Sequence, residues 1–141
     1  MNNYEVRKKK YQDYYDITGI AMEVYNEYHY GLLESAYEAA MEFLLLMNNF
    51  KVERQKQLPI YWKDVVLDSS YRMDLVVNEN IIIELKTVKC ITDEHRRQLF
   101  NYLNLTHSEY GMLINFSPDG IYSEWYHRLP NSKIVRIHFK G

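Results

Sequence analysis

The sequence predicts an α/β domain, a mixed β-sheet with helices packed on it. Three observations lead there. The first third of the chain repeats apolar residues at three- and four-residue steps, and the middle then switches to short β-branched runs. A capped helix separates those runs from a last set of strands.

The helical pattern runs from about Glu5 to Tyr28, with Ile17, Ile20, Ala21, Val24 and Tyr28 on one stripe. Asp16 or Thr18 could start a separate helix inside it, and Gly31 supplies the stop. A second helix is expected from about Leu32 to Asn48. Leu33, Tyr37, Ala40, Met41, Leu44 and Met47 form its buried stripe, and Glu34, Glu38 and Glu42 line a wet side. The β-type runs Gln57–Trp62 and Val65–Ser69 flank a turn at Lys63-Asp64. Tyr71–Val77 and Ile81–Val88, joined by Asn78-Glu79-Asn80, make the clearest hairpin. Thr92 is a good N-cap, with Asp93 and Glu94 where the helix dipole favours negative charge, and Leu99, Tyr102, Leu103 and Thr106 follow on one side. Strands are then expected at Gly111–Phe116, Ile121–His127 and Ile134–Phe139, the last two parted by Pro130-Asn131.

At 141 residues, 47% hydrophobic and 26% charged, the chain has the length and composition of one globular domain. Its single cysteine, Cys90, rules out an internal disulfide and reads as a core filler in a reducing compartment. No segment is long enough to span a bilayer and residues 1–16 are polar, so no membrane is expected and the location is read as cytoplasmic. A net charge of −2 does not announce a nucleic-acid binder. The basic residues do cluster, at Arg7–Lys10, Lys51–Lys56, Lys86 with Lys89, and Arg96 with Arg97; such clusters are solvated faces or phosphate contacts.

If Asn78–Asn80 form the hairpin loop, Val77 faces Ile81, and the ladder then pairs Asp74 with Glu84 and Arg72 with Lys86. Side chains directly opposite project from one face with Cβ atoms about 5 Å apart. Two carboxylates that close repel unless a cation sits between them, and hard divalent ions prefer carboxylate oxygens. Ile82, Glu84 and Lys86 share a face whose flanks are apolar, which makes these charges buried ones in need of partners. The alternatives are a charged cross-strand cluster on a wet face, or a turn of different length that separates the carboxylates.

Four segments in register resemble one family. Tyr71-Arg72-Met73-Asp74-Leu75-Val76-Val77 followed by Ile83-Glu84-Leu85-Lys86 is similar to the Asp…Glu-x-Lys signature of the PD-(D/E)xK phosphodiesterases. Gly31-Leu32-Leu33-Glu34-Ser35-Ala36-Tyr37 resembles the motif that names the GxxExxY branch. Gln98-Leu99-Phe100-Asn101-Tyr102 is similar to the Q-xxx-Y element of nuclease relatives, and Leu113-Ile114-Asn115-Phe116 to the strand that follows it. The resemblance covers about residues 17–128 of a single domain spanning 1–141, and residues 1–16 form a helical extension outside it. Met73 stands where the superfamily's name places proline.

The resemblance implies a restriction-endonuclease-like core, a central mixed sheet flanked by helices, in which hairpin strands carry an Mg²⁺ or Mn²⁺ site. Asp74 and Glu84 would be the principal ligands, with the Leu85 carbonyl a third. Glu34 would bind the metal directly or through water. Lys86 would position and stabilise phosphate charge rather than act as the base. Gln98 would orient the water or touch a phosphate, Tyr37 would be scaffold, and Tyr102 would be core or a substrate contact. Lys89, Arg96 and Arg97 would meet backbone phosphates of DNA or RNA. The implied activity is metal-assisted phosphodiester hydrolysis, by a nuclease or on a smaller phosphate ester; the alternative is a silent module that binds nucleic acid or protein. A homodimer would suit cleavage of both strands, with Ile121–Tyr126 as one place for its interface.

Overall fold

The computed structural model describes residue 2 and residues 11–68 and 71–138. It is a three-layer arrangement. Helices α1 (Gln12–Tyr28) and α2 (Glu34–Met47) cover one face of a six-stranded sheet, and α3 (Asp93–Thr106) covers the other. The sheet order is β1 (Val52–Gln57), β4 (Arg72–Val77), β5 (Ile81–Lys86), β6 (Tyr110–Ser117), β7 (Gly120–Arg128) and β8 (Ile134–Ile137). All neighbours are antiparallel except β5 and β6, which run parallel across the α3 crossover. β2 (Ile60–Trp62) and β3 (Val65–Leu67) form a separate two-stranded hairpin.

The mixed sheet flanked by helices is the architecture the sequence predicts. The central strands are legible because both their faces are covered, so β5 is apolar on each side: Ile81, Ile83 and Leu85 meet α1 and α2, and Ile82 meets α3. Thr92 caps α3, its hydroxyl accepting from the His95 amide at 3.4 Å while the Thr92 amide donates to His95 Nδ1 at 3.0 Å. α3 sits close on β6 because Gly111 has no side chain. A Cβ there would lie 3.1 Å from the methyl carbons of both Leu99 and Leu103.

Four expectations are corrected. β1 is a strand where the pattern of Val52–Gln57 predicts none; at the edge of the sheet it needs little apolar surface, and five of its six residues are polar. α2 is rotated relative to the expected stripe. It buries Tyr37, Glu38, Met41 and Leu45, leaving Leu33 78% and Met47 66% exposed. Glu38 is therefore not on a wet side, because the edge strand supplies it with donors. Cys90 is exposed in the loop after β5, not a core filler. The expected helical turns at residues 5–10, the cluster Arg7–Lys10, and the strand ends Ser69 and Phe139 lie outside the described residues.

Candidate metal and phosphate site

The loop Asn78–Asn80 closes the β4–β5 hairpin with Val77 opposite Ile81, the register expected from the sequence, and the ladder runs on through Leu75 and Ile83. Asp74 and Glu84 stand one step beyond that last pair. There the strands bond through side chains: the Leu85 amide donates to Asp74 Oδ2 at 2.8 Å, and the Asp74 amide to Glu84 Oε2 at a long 3.4 Å. The carboxylates thus lie side by side at the open end of the hairpin.

Glu84 is 2% exposed, and its Oε1 is buried with no hydrogen-bond partner. Burial pushes its carboxyl well above the usual range, and the charge and hydrogen bonding of Asp74 add to this; Lys86 and the Asp74 amide pull back only in part. Glu34, the first residue of α2, belongs to the same field. Its carboxyl is raised by burial and then by Asp74, with Lys86 opposing.

Glu34 reaches this place because the α1–α2 loop is pinned. The Tyr37 hydroxyl donates to the His29 carbonyl and accepts from the Leu32 amide at 3.3 Å, while its ring stacks on Phe116 with centroids 4.3 Å apart. Between those anchors Gly31 adopts φ +123°, a conformation that favours glycine. Gly31, Glu34 and Tyr37 therefore act together: a turn, a carboxylate and the pin that fixes both. Tyr37 is fully buried, a scaffold residue as expected.

From the opposite face α3 contributes a chain of polar groups. Lys86 Nζ donates to Gln98 Oε1 at 3.1 Å, and Gln98 Nε2 donates to the Tyr102 hydroxyl at 3.2 Å. The Tyr102 ring is buried in the α3-side core, and burial followed by the Glu84 charge raises its hydroxyl pKa.

Two participants were not expected at the site from the sequence, where Arg54 is one member of the basic cluster Lys51–Lys56. Gln55 lies across from Asp74 on β1 with φ +51°, uncommon for a residue other than glycine. Its amide donates to Asp74 Oδ1 at 3.2 Å and to both oxygens of Glu38 at 3.0 Å. Arg54 holds the same Glu38 at 2.8 Å and reaches Glu42 at 3.7 Å. Only the sheet order, with β1 beside β4, brings these groups to the site.

Of the expected phosphate contacts, Lys89 and Arg97 are exposed. Arg96 is engaged elsewhere, with a bidentate pair to Glu124 at 2.7 Å for each bond and a third bond to Asp93 at 2.7 Å. Its guanidinium is bound in an ion pair and not turned out toward a phosphate.

Among the described residues, no three His, Cys, Asp or Glu side chains gather closely enough to hold an ion by themselves. Asp74 and Glu84 nevertheless suit a hard divalent ion: two oxygen donors, one with a buried atom that no protein donor meets. No helix among the described residues is long and apolar enough to cross a membrane.

The sequence model of the PD-(D/E)XK nuclease superfamily matches residues 11–128, and the chain belongs to that superfamily. The match ends where the motif resemblance ends and begins earlier, taking in the start of α1. No protein of curated function matches the sequence. The solved crystal structure of SSO0001 is 25% identical, with a TM-score of 0.48, and the alignment covers 84% of this chain. The chain spans 60% of the length of that structure.

Proposed function

We propose that this member of the PD-(D/E)XK nuclease superfamily is an Mg²⁺- or Mn²⁺-dependent nuclease that hydrolyses phosphodiester bonds of DNA or RNA, and that it belongs to the GxxExxY branch. The observation that carries the reading is Glu84: a buried carboxylate beside Asp74, with an oxygen lacking any donor and no cation in hydrogen-bonding contact. A buried carboxylate oxygen that no donor meets destabilises a fold, and a bound cation would offset that cost.

Asp74 and Glu84 would hold the metal, with the Leu85 carbonyl as a third protein ligand and Glu34 meeting the ion through water, since among the described residues three carboxylates do not gather closely enough to bind it together. The ion would supply charge stabilisation at the phosphoryl oxygen and a more acidic bound water. Lys86, steadied by Gln98, would face the non-bridging oxygens of the phosphate as a fixed positive charge. Gln98 is set by Lys86 on one side and Tyr102 on the other, so it can orient a water without turning away. Gln55 would keep Asp74 aimed into the site by occupying Oδ1 from the side. Lys89 and Arg97 remain as phosphate contacts along the approach. The concerted placement of Gly31, Glu34 and Tyr37 supports the GxxExxY assignment, since all three bear on where one carboxylate stands.

A second reading, a catalytically silent module that binds nucleic acid or protein, draws on the ion pair that occupies Arg96 and on the net charge of −2. Calorimetric titration of Mg²⁺ and Mn²⁺ separates the two. Saturable binding to the wild type that disappears in both Asp74→Ala and Glu84→Ala, with cleavage of single- or double-stranded oligonucleotides lost in Lys86→Ala, is the expected result. Folded wild type that binds neither ion, with or without oligonucleotide, would falsify the enzyme and leave the module.

A further inference from the structure

The β2–β3 hairpin stands apart from both cores. Tyr61, Trp62, Val65, Val66 and Leu67 are between 43% and 66% exposed, although the two strands contain only apolar residues. Only Ile60, at the base, packs against the α3-side cluster. A two-stranded hairpin is marginal in water by itself, and among the described residues both of its outer edges are open. We propose that this arm binds a second copy of the chain, β2 pairing antiparallel with β2 of the partner about a twofold axis through Tyr61. The proposal is independent of the catalytic reading.

Charge selects the partner's class. Between β1 and β4 the chain carries one cation, Lys63, and two anions, Asp64 and Asp68, so the arm has no electrostatic claim on a polyanion. The apolar surface it offers is on the order of 600 Å² per protomer, most of the about 800 Å² that a stable interface takes from each side. The outward face of α2, with Phe43, Leu46 and Met47, is also apolar, but a helix has no unpaired main-chain groups along its side to fix a register.

Register selects the edge. If β3 paired with its copy about Val66, Asp64 would face Asp68 of the partner, a like-charge pair directly opposed. If β2 pairs about Tyr61, tyrosine faces tyrosine, Ile60 faces the partner's Trp62, and Lys63 faces a proline. Those are favourable aromatic and aromatic–aliphatic pairs with no charge conflict. Main-chain geometry agrees. The two-residue turn Lys63-Asp64 makes Trp62 and Val65 the hydrogen-bonded pair that closes the hairpin. By alternation Tyr61 then turns its amide and carbonyl to the open edge. The arm springs from Gln57 and Arg72, the pair that ends the β1–β4 ladder.

Sedimentation equilibrium of the full chain over a range of concentrations tests this. The wild type should weigh twice 17.1 kDa. Tyr61→Pro removes an outward amide and the ring at the axis but no bond within the hairpin, which an edge strand tolerates, and should raise the dimer dissociation constant more than about tenfold with an unchanged circular dichroism spectrum. Val66→Pro, on the other edge, should leave the dimer intact. The proposal is overturned by a monomeric wild type at about 100 μM, where complexes of ordinary affinity persist. Dimers that survive Tyr61→Pro, or that are lost instead in Phe43→Asp, overturn it as well. A monomer whose Tyr61→Pro variant loses affinity for a single-stranded oligonucleotide would make the arm a substrate contact.

Discussion

Two buried glutamates face α3 from the same row of the sheet. Glu84 on β5 and Glu124 on β7 are both paired in register with Leu113 on the strand between them, and they are 2% and 1% exposed. Their surroundings are opposite. Glu124 accepts two bonds from Arg96 at 2.7 Å and one each from the Tyr122 and Tyr126 hydroxyls at 2.6 Å, with Arg136 3.8 Å away. Burial alone would raise its carboxyl, but those donors prevail and hold it at about 2. Glu84 has a neighbouring carboxylate where Glu124 has a bonded guanidinium, Lys86 offsets this only in part, and the Glu84 carboxyl is pushed up. One buried carboxylate is fully met by donors of the protein, whereas the other has an oxygen that none of them meets. Burial of a carboxylate is thus no sign of function; the deficit of donors around it is.

Removing Arg96 should break the satisfied half of this pair, and it carries the largest expected effect. Arg96→Ala leaves Glu124 with the two tyrosines and a distant Arg136, and should cost about 3 kcal/mol of stability at pH 7, read by urea unfolding. The pH profile gives a second reading. The Glu124 carboxyl lies below its unfolded value of 4.5, so its contribution is complete above that pH and is lost as pH falls toward about 2. Acidification of the wild type across that window should remove on the order of 3 kcal/mol. The variant, whose Glu124 is no longer depressed as far, should show a flatter acid limb.

Glu84→Gln should do the reverse and is smaller in size. Replacing a charge repelled by Asp74 with a neutral amide should raise stability at pH 7 by about 1 kcal/mol, measured without metal. Bound metal sharpens the contrast. Saturating Mn²⁺, at about a hundredfold its dissociation constant, should stabilise the wild type by about 2.7 kcal/mol and leave Glu84→Gln unmoved. A variant less stable than the wild type in metal-free buffer would mean that Glu84 is a structural group like Glu124.

How much of this was legible in the sequence follows from where the information lies. The hairpin register was legible because the short polar loop Asn78–Asn80 sets Val77 opposite Ile81, and Glu84 and Lys86 interrupt an otherwise apolar strand at alternate positions. That placed Asp74, Glu84 and Lys86 correctly on adjacent strands. Thr92 and the Gln98–Tyr102 spacing were legible for the same reason, since caps and helix faces are local. The Glu124 cluster was not. It joins α3 to β7 and β8 across separations that depend on sheet order, and Arg96 beside Arg97 reads in sequence as a basic patch. β1 was hidden by its polar composition, and with it went Arg54, Gln55 and the burial of Glu38. Each miss is a contact made by topology, not by spacing.

Gln55 offers the finest cut between the two carboxylate sites, and its glycine variant carries the smallest expected change in stability. Its amide is a neutral donor to Asp74 and Glu38, where Glu124 is met by guanidinium, and it holds φ +51° within a strand to do so. A backbone in that region costs about 1 kcal/mol for a residue with a side chain, and the bonds to a buried carboxylate return about as much. In Gln55→Gly both terms vanish together, so stability should stay within about 1 kcal/mol of wild type. Gln55→Ala keeps the strained backbone without the bonds, and should lose about 1 to 2 kcal/mol. Both should weaken Mn²⁺ binding by about tenfold, because Asp74 loses the group that aims it. Equal stability of the two variants would show that the backbone relaxes once the side chain is gone. Unchanged metal affinity in both would mean that the Leu85 amide alone orients Asp74, and that this site, unlike the one around Glu124, owes nothing to its neighbours on the edge strand.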